Sequence, residues 1–425
     1  MVSQKPRRDV DTRPTMTPGD KPPQRLRLRS DLALTHEEGA CLPLRSTYGQ
    51  CRACAEACPA KALTVSVAGV ELSDACTGCG QCAAACPTQA LTLPELATLD
   101  APVPPVTEPT EIRIECRKVP AQAHRGENLV VPCLGALTPG HLMARTAAGI
   151  DVAVVDRGWC AGCESNCANG APAQPARKAL DVAALWLEAA GSTRRPAIVE
   201  APLPLSLRPE AIPLAPEEAP AIDRRRFFRA AIEKPAGRQR VDATPMGGDG
   251  RAAYPADARH ASPERERQRD ALLRLTEELG SEMPAEFYPQ LHADPRCCDR
   301  RMCVALCPTG ALSVGDDGAV SHLQWSSDRC IACGTCVRAC PESALTLTPH
   351  GGSPGLHTLA SHLRARCPEC GNTFSPTAEQ MNADAPAICP TCAKSRRFMD
   401  DARRQLFGAA ELTTPEDTKE TAPWA

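Results

Sequence analysis

One eight-residue pattern occurs four times in this 425-residue chain. It reads Cys-Pro, two variable residues, Ala-Leu, then Thr or Ser, then Val or Leu. The copies begin at Cys58, Cys86, Cys307 and Cys340. They fall into two pairs, so the chain contains an internal duplication at about 41–93 and about 297–347. The second copy in each pair closes a complete C-x2-C-x2-C-x3-C-P run. The first run is Cys76, Cys79, Cys82 and Cys86, and the second is Cys330, Cys333, Cys336 and Cys340.

The chain has 25 cysteines, an odd number, in tight CxxC spacings rather than scattered disulfide intervals. Aromatic residues make up only 3%, which argues against one large core and for several small units with other support. Proline, at 42 residues, points to long irregular segments. The net charge of −3 suggests no nucleic-acid partner. The first thirty residues contain no apolar leader, and no window of eighteen apolar residues predicts a membrane span. These features predict a reducing, cytoplasmic setting in which metal holds the thiolates.

The spacing has a chemical reason. Three thiolates on one tight loop can hold three corners of an iron–sulfur cube, and the fourth Cys turns away to another cube. Pro after that Cys lacks an N–H and favours the turn. Zinc knuckles use C-x2-C pairs without the third Cys and the Cys-Pro. Both blocks resemble the bacterial two-cluster [4Fe–4S] ferredoxins. The Ala-Leu tails would be the short strands packing on the cubes.

The resemblance implies ligand sets. Cys58, Cys76, Cys79 and Cys82 would hold one cube. Cys51, Cys54 and Cys86 would hold another, but Tyr48 stands where the family has its remaining Cys. Cys41, reached through a longer loop, is expected to replace it. In the second block Cys307, Cys330, Cys333 and Cys336 form a complete set. Its partner has Cys303 and Cys340, with Arg300 where another Cys is expected. Either both Cys297 and Cys298 bind through a contorted loop, or this is a three-Cys site.

Between the blocks, 112–205 reads as alternating strands and helices, an α/β unit with a parallel sheet. "EIRIEC", "NLVVPC" and "IDVAVVDRGWC" place Cys116, Cys133 and Cys160 after strands, with Cys163 and Cys167 following. Functional groups gather at the carboxyl ends of such strands, so these cysteines can converge. A helix is predicted from Thr138 as N-cap to Gly149. Residues of about 110–170 resemble the small iron–sulfur (delta) subunit of methyl-viologen-reducing hydrogenases. A further cluster is implied there; buried structural thiols are the alternative.

The remaining organisation follows composition. Residues 1–38 and 408–425 read as disordered tails, 96–111 as a Pro-rich linker, and 206–285 as a linker with short helices. The modules are expected at 39–95 and 286–350. Cys367, Cys370, Cys389 and Cys392 fit a four-thiolate zinc ribbon at 362–396, with mononuclear iron as the alternative. "DRRRFFRAAI" (Asp223 to Ile232) looks like a twin-arginine signal but precedes no apolar run. It reads as an N-capped helix docking Phe227 and Phe228.

The predicted fold class is thus α+β and multidomain: two ferredoxin-like modules, an α/β domain between them and a terminal ribbon. No dinucleotide or P-loop fingerprint and no catalytic triad stands out. The expected role is electron transfer in a cytoplasmic complex with redox enzyme subunits of hydrogenase or formate dehydrogenase type. An assembly adaptor for such an enzyme is one alternative. A reductase using the middle centre is another.

Overall fold

The computed structural model describes residues 25–108, 110–124, 128–166, 174–208, 262–383 and 385–407. The expected tails before 25 and after 407, Asp223–Ile232 and Cys167 lie outside the described residues.

All four sequence repeats fold the same way. The residue before Ala-Leu has positive φ in every copy: Lys61 at 49°, Gln89 at 48°, Gly310 at 64° and Ser343 at 50°. Its N–H donates back to the Cys carbonyl three residues earlier, at 3.1 Å in three copies and 3.5 Å at Gly310. Three copies hold a side chain in this left-handed region, at a cost of about 1 kcal/mol or more each. The turn throws Ala-Leu into a strand. The strands are Leu63–Ser66, Leu91–Thr92, Leu312–Asp316 and Leu345–Thr348. Each pairs antiparallel, with Gly69–Leu72, Thr35–His36, Val320–Ser326 and Gln290–Ala293 respectively. All eight Ala and Leu side chains are buried.

The middle unit is a four-stranded sheet. Its spatial order is Asn128–Val131, Thr110–Cys116, Ile150–Asp156 and Ala197–Glu200, with every neighbouring pair parallel. Helices Pro139–Ala147 and Arg177–Ala189 pack with it. Thr138 caps the first: its side chain accepts from the His141 N–H, and His141 Nδ1 accepts from the Thr138 N–H. Gly149, at φ 91°, ends it as expected.

Three stretches depart from the compositional reading. Residues 25–38, expected to be part of a tail, supply the strands Leu26–Arg27 and Thr35–His36, and Leu34, His36 and Glu37 are buried. The 96–111 linker is pinned down: Arg145 donates to the carbonyls of Leu99 and Thr98, and Val106 N–H to Ala148 O. Helix Pro263–Leu279, expected within a connecting segment, packs on Pro139–Ala147. Its Glu264 accepts from Thr138 Oγ1 at 2.6 Å and from Gly140 N–H at 2.7 Å. Ala271, Leu272 and Leu275 enter the core. The charged sequence hid this because its narrow apolar stripe needs a neighbouring helix to cover it.

Module 1 and the middle unit therefore share one core. Module 2 has a separate small core around Leu291, Leu312, Leu323 and Trp325. Strand Leu356–Leu363 extends its sheet by pairing with Val320–Ser326. After it come a short hairpin, Ala365–Arg366 with Thr373–Phe374, and the helix Pro390–Phe407. The second CPxC knuckle thus opens a helix rather than a second hairpin.

Candidate iron–sulfur sites

The cysteines collect where the repeats meet. Cys58, Cys76, Cys79 and Cys82 wall one cavity with Leu34, Leu63 and Leu93; its empty volume, mouth included, is about 440 Å³. Cys41, Cys51, Cys54 and Cys86 wall another of about 340 Å³. A third, of about 370 Å³, is walled by Cys297, Cys298, Cys303 and Cys340. In each, thiols from separate segments share one wall with mainly apolar side chains.

Cys307, Cys330, Cys333 and Cys336 form a fourth group. Burial raises the Cys336 thiol, and Cys333, Cys330 and Cys307 beside it add to the rise.

The donor chemistry fits iron–sulfur ligation. Backbone N–H groups point at sulfur: Ala62 to Cys58 and Ala90 to Cys86, both at 3.2 Å, and Ala344 to Cys340 at 3.3 Å. Such bonds favour thiolate. Burial works against them. It pushes Cys41 and Cys303 up to about 12 and Cys54 up to about 11, and neighbouring thiols push the same way. Several buried thiolates facing one another are costly without a cation, and a coordinated metal deprotonates such thiols outright. His36 adds an orphaned polar atom. It is buried, lines the Cys41 cavity, and its Nε2 has no hydrogen-bond partner.

The irregular half-sites differ. In module 1 the expected substitution by Cys41 brings its side chain to the cavity of Cys51, Cys54 and Cys86. The intervening loop coils through helix Leu42–Arg45 and folds tightly at Gly49, where a Cβ would lie 2.0 Å from Leu42 O. In module 2 the two adjacent cysteines line one cavity but meet different neighbours. Cys297 has Cys340 as its thiol neighbour, whereas Cys298 faces Glu342 and Arg300. Burial and Glu342 push Cys298 up to about 11. Arg300 bonds Glu342 at 3.0 Å. Asp299 and Arg301, at φ 55° and 60°, mark the contorted backbone between.

In the middle unit, Cys116 ends the strand Thr110–Cys116, and Cys133 and Cys160 follow the strands on either side. Cys116, Cys133 and Cys163 all crowd Cys160, whose thiol burial pushes up to about 12. Burial pushes Cys133 up to about 12 as well, with Cys79, Cys116 and Cys163 beside it. Sulfur again receives N–H groups, from Lys118 to Cys116 at 3.3 Å and from Gly135 to Cys133 at 3.4 Å. Lys118 Nζ reaches Cys163 Sγ at 3.6 Å and Glu164 at 2.8 Å. Beneath the site, fully buried Glu115 binds Arg157 and His124, each at 2.5 Å. Arg157 also donates to Ala123 O and Ala201 O. This network ties together the strand ends that carry Cys116 and Cys160.

A family model for the 4Fe-4S binding domain matches residues 72–92 and 323–346. Two iron–sulfur binding modules of ferredoxin type are present. The matched segments contain both complete runs and stop short of Cys41–Cys58 and Cys297–Cys307. No curated protein shows significant similarity to the chain.

At the terminal knuckles, the sulfurs of Cys367, Cys370, Cys389 and Cys392 lie within 4.8 Å of one another. The Cys389 N–H, 3.4 Å from Cys367 Sγ, holds that thiol below its ordinary value. No described helix is long and apolar enough to cross a membrane.

Sequence reading missed His36, Gln81, Lys118 and Arg338. Gln81 Nε2 lies 3.8 Å from Cys133 Sγ, and Arg338 donates to Cys333 O. Lys118, Gln81 and Arg338 offered a faint signal, each within two residues of a cysteine, but their contacts with Glu164, Ser165 and Tyr48 arise only on folding. His36 comes to line the Cys41 cavity only through folding.

Proposed function

We propose that the chain is an iron–sulfur electron-transfer protein, a subunit of or carrier for a cytoplasmic oxidoreductase complex. The observation that carries this reading is that cysteines from distant segments line common, mainly apolar cavities. The proposed ligand sets are Cys58/Cys76/Cys79/Cys82, Cys41/Cys51/Cys54/Cys86 and Cys307/Cys330/Cys333/Cys336. Cys297, Cys303 and Cys340 form a fourth with three thiolates, and Cys116, Cys133, Cys160 and Cys163 a fifth. When bound, a cube supplies one-electron chemistry at a potential set by burial, charge and hydrogen bonds to sulfur. The chain's residues donate N–H groups to sulfur, exclude water with Ala and Leu, and hold the thiolates in place.

The middle unit's likeness to the hydrogenase delta subunit favours a hydrogenase or formate dehydrogenase type of partner. The terminal four-thiol group suits structural zinc, since its ligands come as two CxxC pairs. The domain limits proposed are 25–95 for module 1, 96–208 with 262–285 for the middle unit, 286–363 for module 2 and 364–407 for the terminal knuckles.

Metal and sulfide analysis after anaerobic purification tests the reading. All sites filled corresponds to about 16–20 Fe and roughly one Zn per chain, and the two complete sets alone to about 8 Fe. Folded protein carrying zinc throughout, without acid-labile sulfide, would overturn it.

A further inference from the structure

We propose that the five cysteine sets lie in one unbranched file, with the middle unit at one end and the Cys297 set at the other. Gln81 and Arg338 bind across its two inter-unit junctions. This rests on the reading that the sets hold clusters.

The order follows from the contacts. Within module 1, Cys54 and Cys58 lie on or beside helix Ala53–Glu56, and Cys82 and Cys86 on or beside Gln81–Ala84. Both module 1 sets draw on these same two short helices, so they are adjacent. Module 2 repeats this with Met302–Leu306 for Cys303 and Cys307, and Thr335–Ala339 for Cys336 and Cys340.

Module 1 meets the middle unit at the Cys76–Cys82 loop. Gln81 Nε2 donates to Ser165 O at 2.6 Å and to Cys133 Sγ at 3.8 Å. Ser165 Oγ bonds Thr77 Oγ1 at 3.1 Å, and Arg117 donates to Thr77 O at 2.8 Å. The backbones approach so closely that a Cβ on Gly80 would lie 3.1 Å from Ala136 Cβ. The Cys58/Cys76/Cys79/Cys82 set is thus the neighbour of the middle set.

Module 1 meets module 2 through its other set. Arg338 Nε donates to Tyr48 O at 2.8 Å, and its NH2 group to Cys333 O at 2.9 Å. Tyr48 is three residues from Cys51. The carbonyl at the position where the ferredoxin pattern has a cysteine thus accepts from the neighbouring module. This junction joins the Cys41 set to the Cys307 set and leaves the Cys297 set outermost. Both ends carry a partly exposed ion pair: Lys118–Glu164 beside Cys163, and Arg300–Glu342 beside Cys298. An unbranched file with two open ends suits two different redox partners, one at each end.

The test uses the full chain, loaded anaerobically, reduced fully and read by electron paramagnetic resonance. Spin–spin interaction reports which sets are neighbours. Cys41→Ser removes an interior set, so both its neighbours, one of them in module 2, should lose their interaction with it. The Cys58 set is then coupled only to the middle set, and the Cys307 set only to the Cys297 set. Cys133→Ser removes an end set and should sharpen only the module 1 signal. Each variant should lose one set, about 4 Fe, and the spectra are compared on protein whose iron content shows that loss. Arg338→Met keeps every ligand; it should retain its iron while weakening only the interaction between modules, with Arg338→Lys restoring part. A module 2 signal unmoved by Cys41→Ser, or altered by Cys133→Ser, overturns the file. So does full iron with unchanged interaction in Arg338→Met and Gln81→Met, for the junction roles. Protein that takes up no iron at all defeats the proposed function instead.

Discussion

The two modules descend from one pattern and differ at equivalent positions. Glu37 N–H donates to Ala90 O, and Asp294 N–H to Ala344 O. That equivalence aligns His36 with Ala293 and places Cys41 and Cys297 just after matching strands. Counting on through the second motif aligns Cys51 with Arg300. Module 1 kept its second cysteine and lengthened the loop before it. Module 2 kept the short loop and replaced that cysteine with an arginine paired to Glu342. The turn and the Ala-Leu strand are thus alike in both modules although the cysteine pattern differs. The modules also differ in support: module 1 shares its core with the middle sheet, and module 2 stands on its own small one.

The largest effect should come from keeping iron out. Metal binding to such sites is coupled to folding. Iron-free protein should lose hydrogen-exchange protection throughout module 2. Module 1 should keep protection where it joins the middle sheet, as at Leu91, Leu96 and Leu99. Equal loss in both modules would break the contrast in support.

Next in size is Arg157→Met, which leaves the buried Glu115 carboxylate with only His124 as its side-chain partner. Breaking a buried pair in this way costs about 3–5 kcal/mol. Denaturant unfolding should show the joined body weakened by that amount, with the module 2 transition unmoved. A matching shift in module 2 would mean that the bodies unfold together.

The half-sites themselves can be set against each other. Cys41→Ala should cost module 1 a cube or leave a three-iron form. Cys298→Ala should leave iron content unchanged, because Cys297, Cys303 and Cys340 carry the site. Iron analysis of the two variants side by side decides this. Equal losses would place Cys298 among the ligands.

The smallest effect is a change of potential. His36→Ala gives module 1 the residue that module 2 has at the equivalent position. It removes a buried, otherwise unpartnered ring nitrogen from the cavity wall, which in the Nε2–H tautomer would donate to a cluster. Such a donor stabilises the more negative, reduced state. The midpoint potential of that site should fall with iron content unchanged, as a redox titration would record.

Much of the site was legible because ligation by a tight loop is local. The runs Cys76–Cys86 and Cys330–Cys340, the Ala-Leu strands and the strand-end cysteines all follow from spacing and period. The middle sheet was legible for the same reason, since each strand and cap is written within a few residues. The role of 25–38 was not, because a two-residue edge strand has no pattern of its own until Leu91–Thr92 pairs beside it. Helix Pro263–Leu279 was legible as a helix but not as part of a core, since only Pro139–Ala147 supplies its partner.

By itself the sequence determined the two complete four-cysteine runs, because ligand spacing within a loop is set by covalent geometry. It could not determine their neighbours. Cys298 meets Glu342 beside an Arg300–Glu342 ion pair between residues 42 apart. The meeting of Tyr48 with Arg338 spans 290 residues, and that of Gln81 with Cys133 spans 52. Hydrogen bonds and packing at such separations leave no local signature. The tertiary structure alone therefore decided which thiolate sets face one another, and which two face outward.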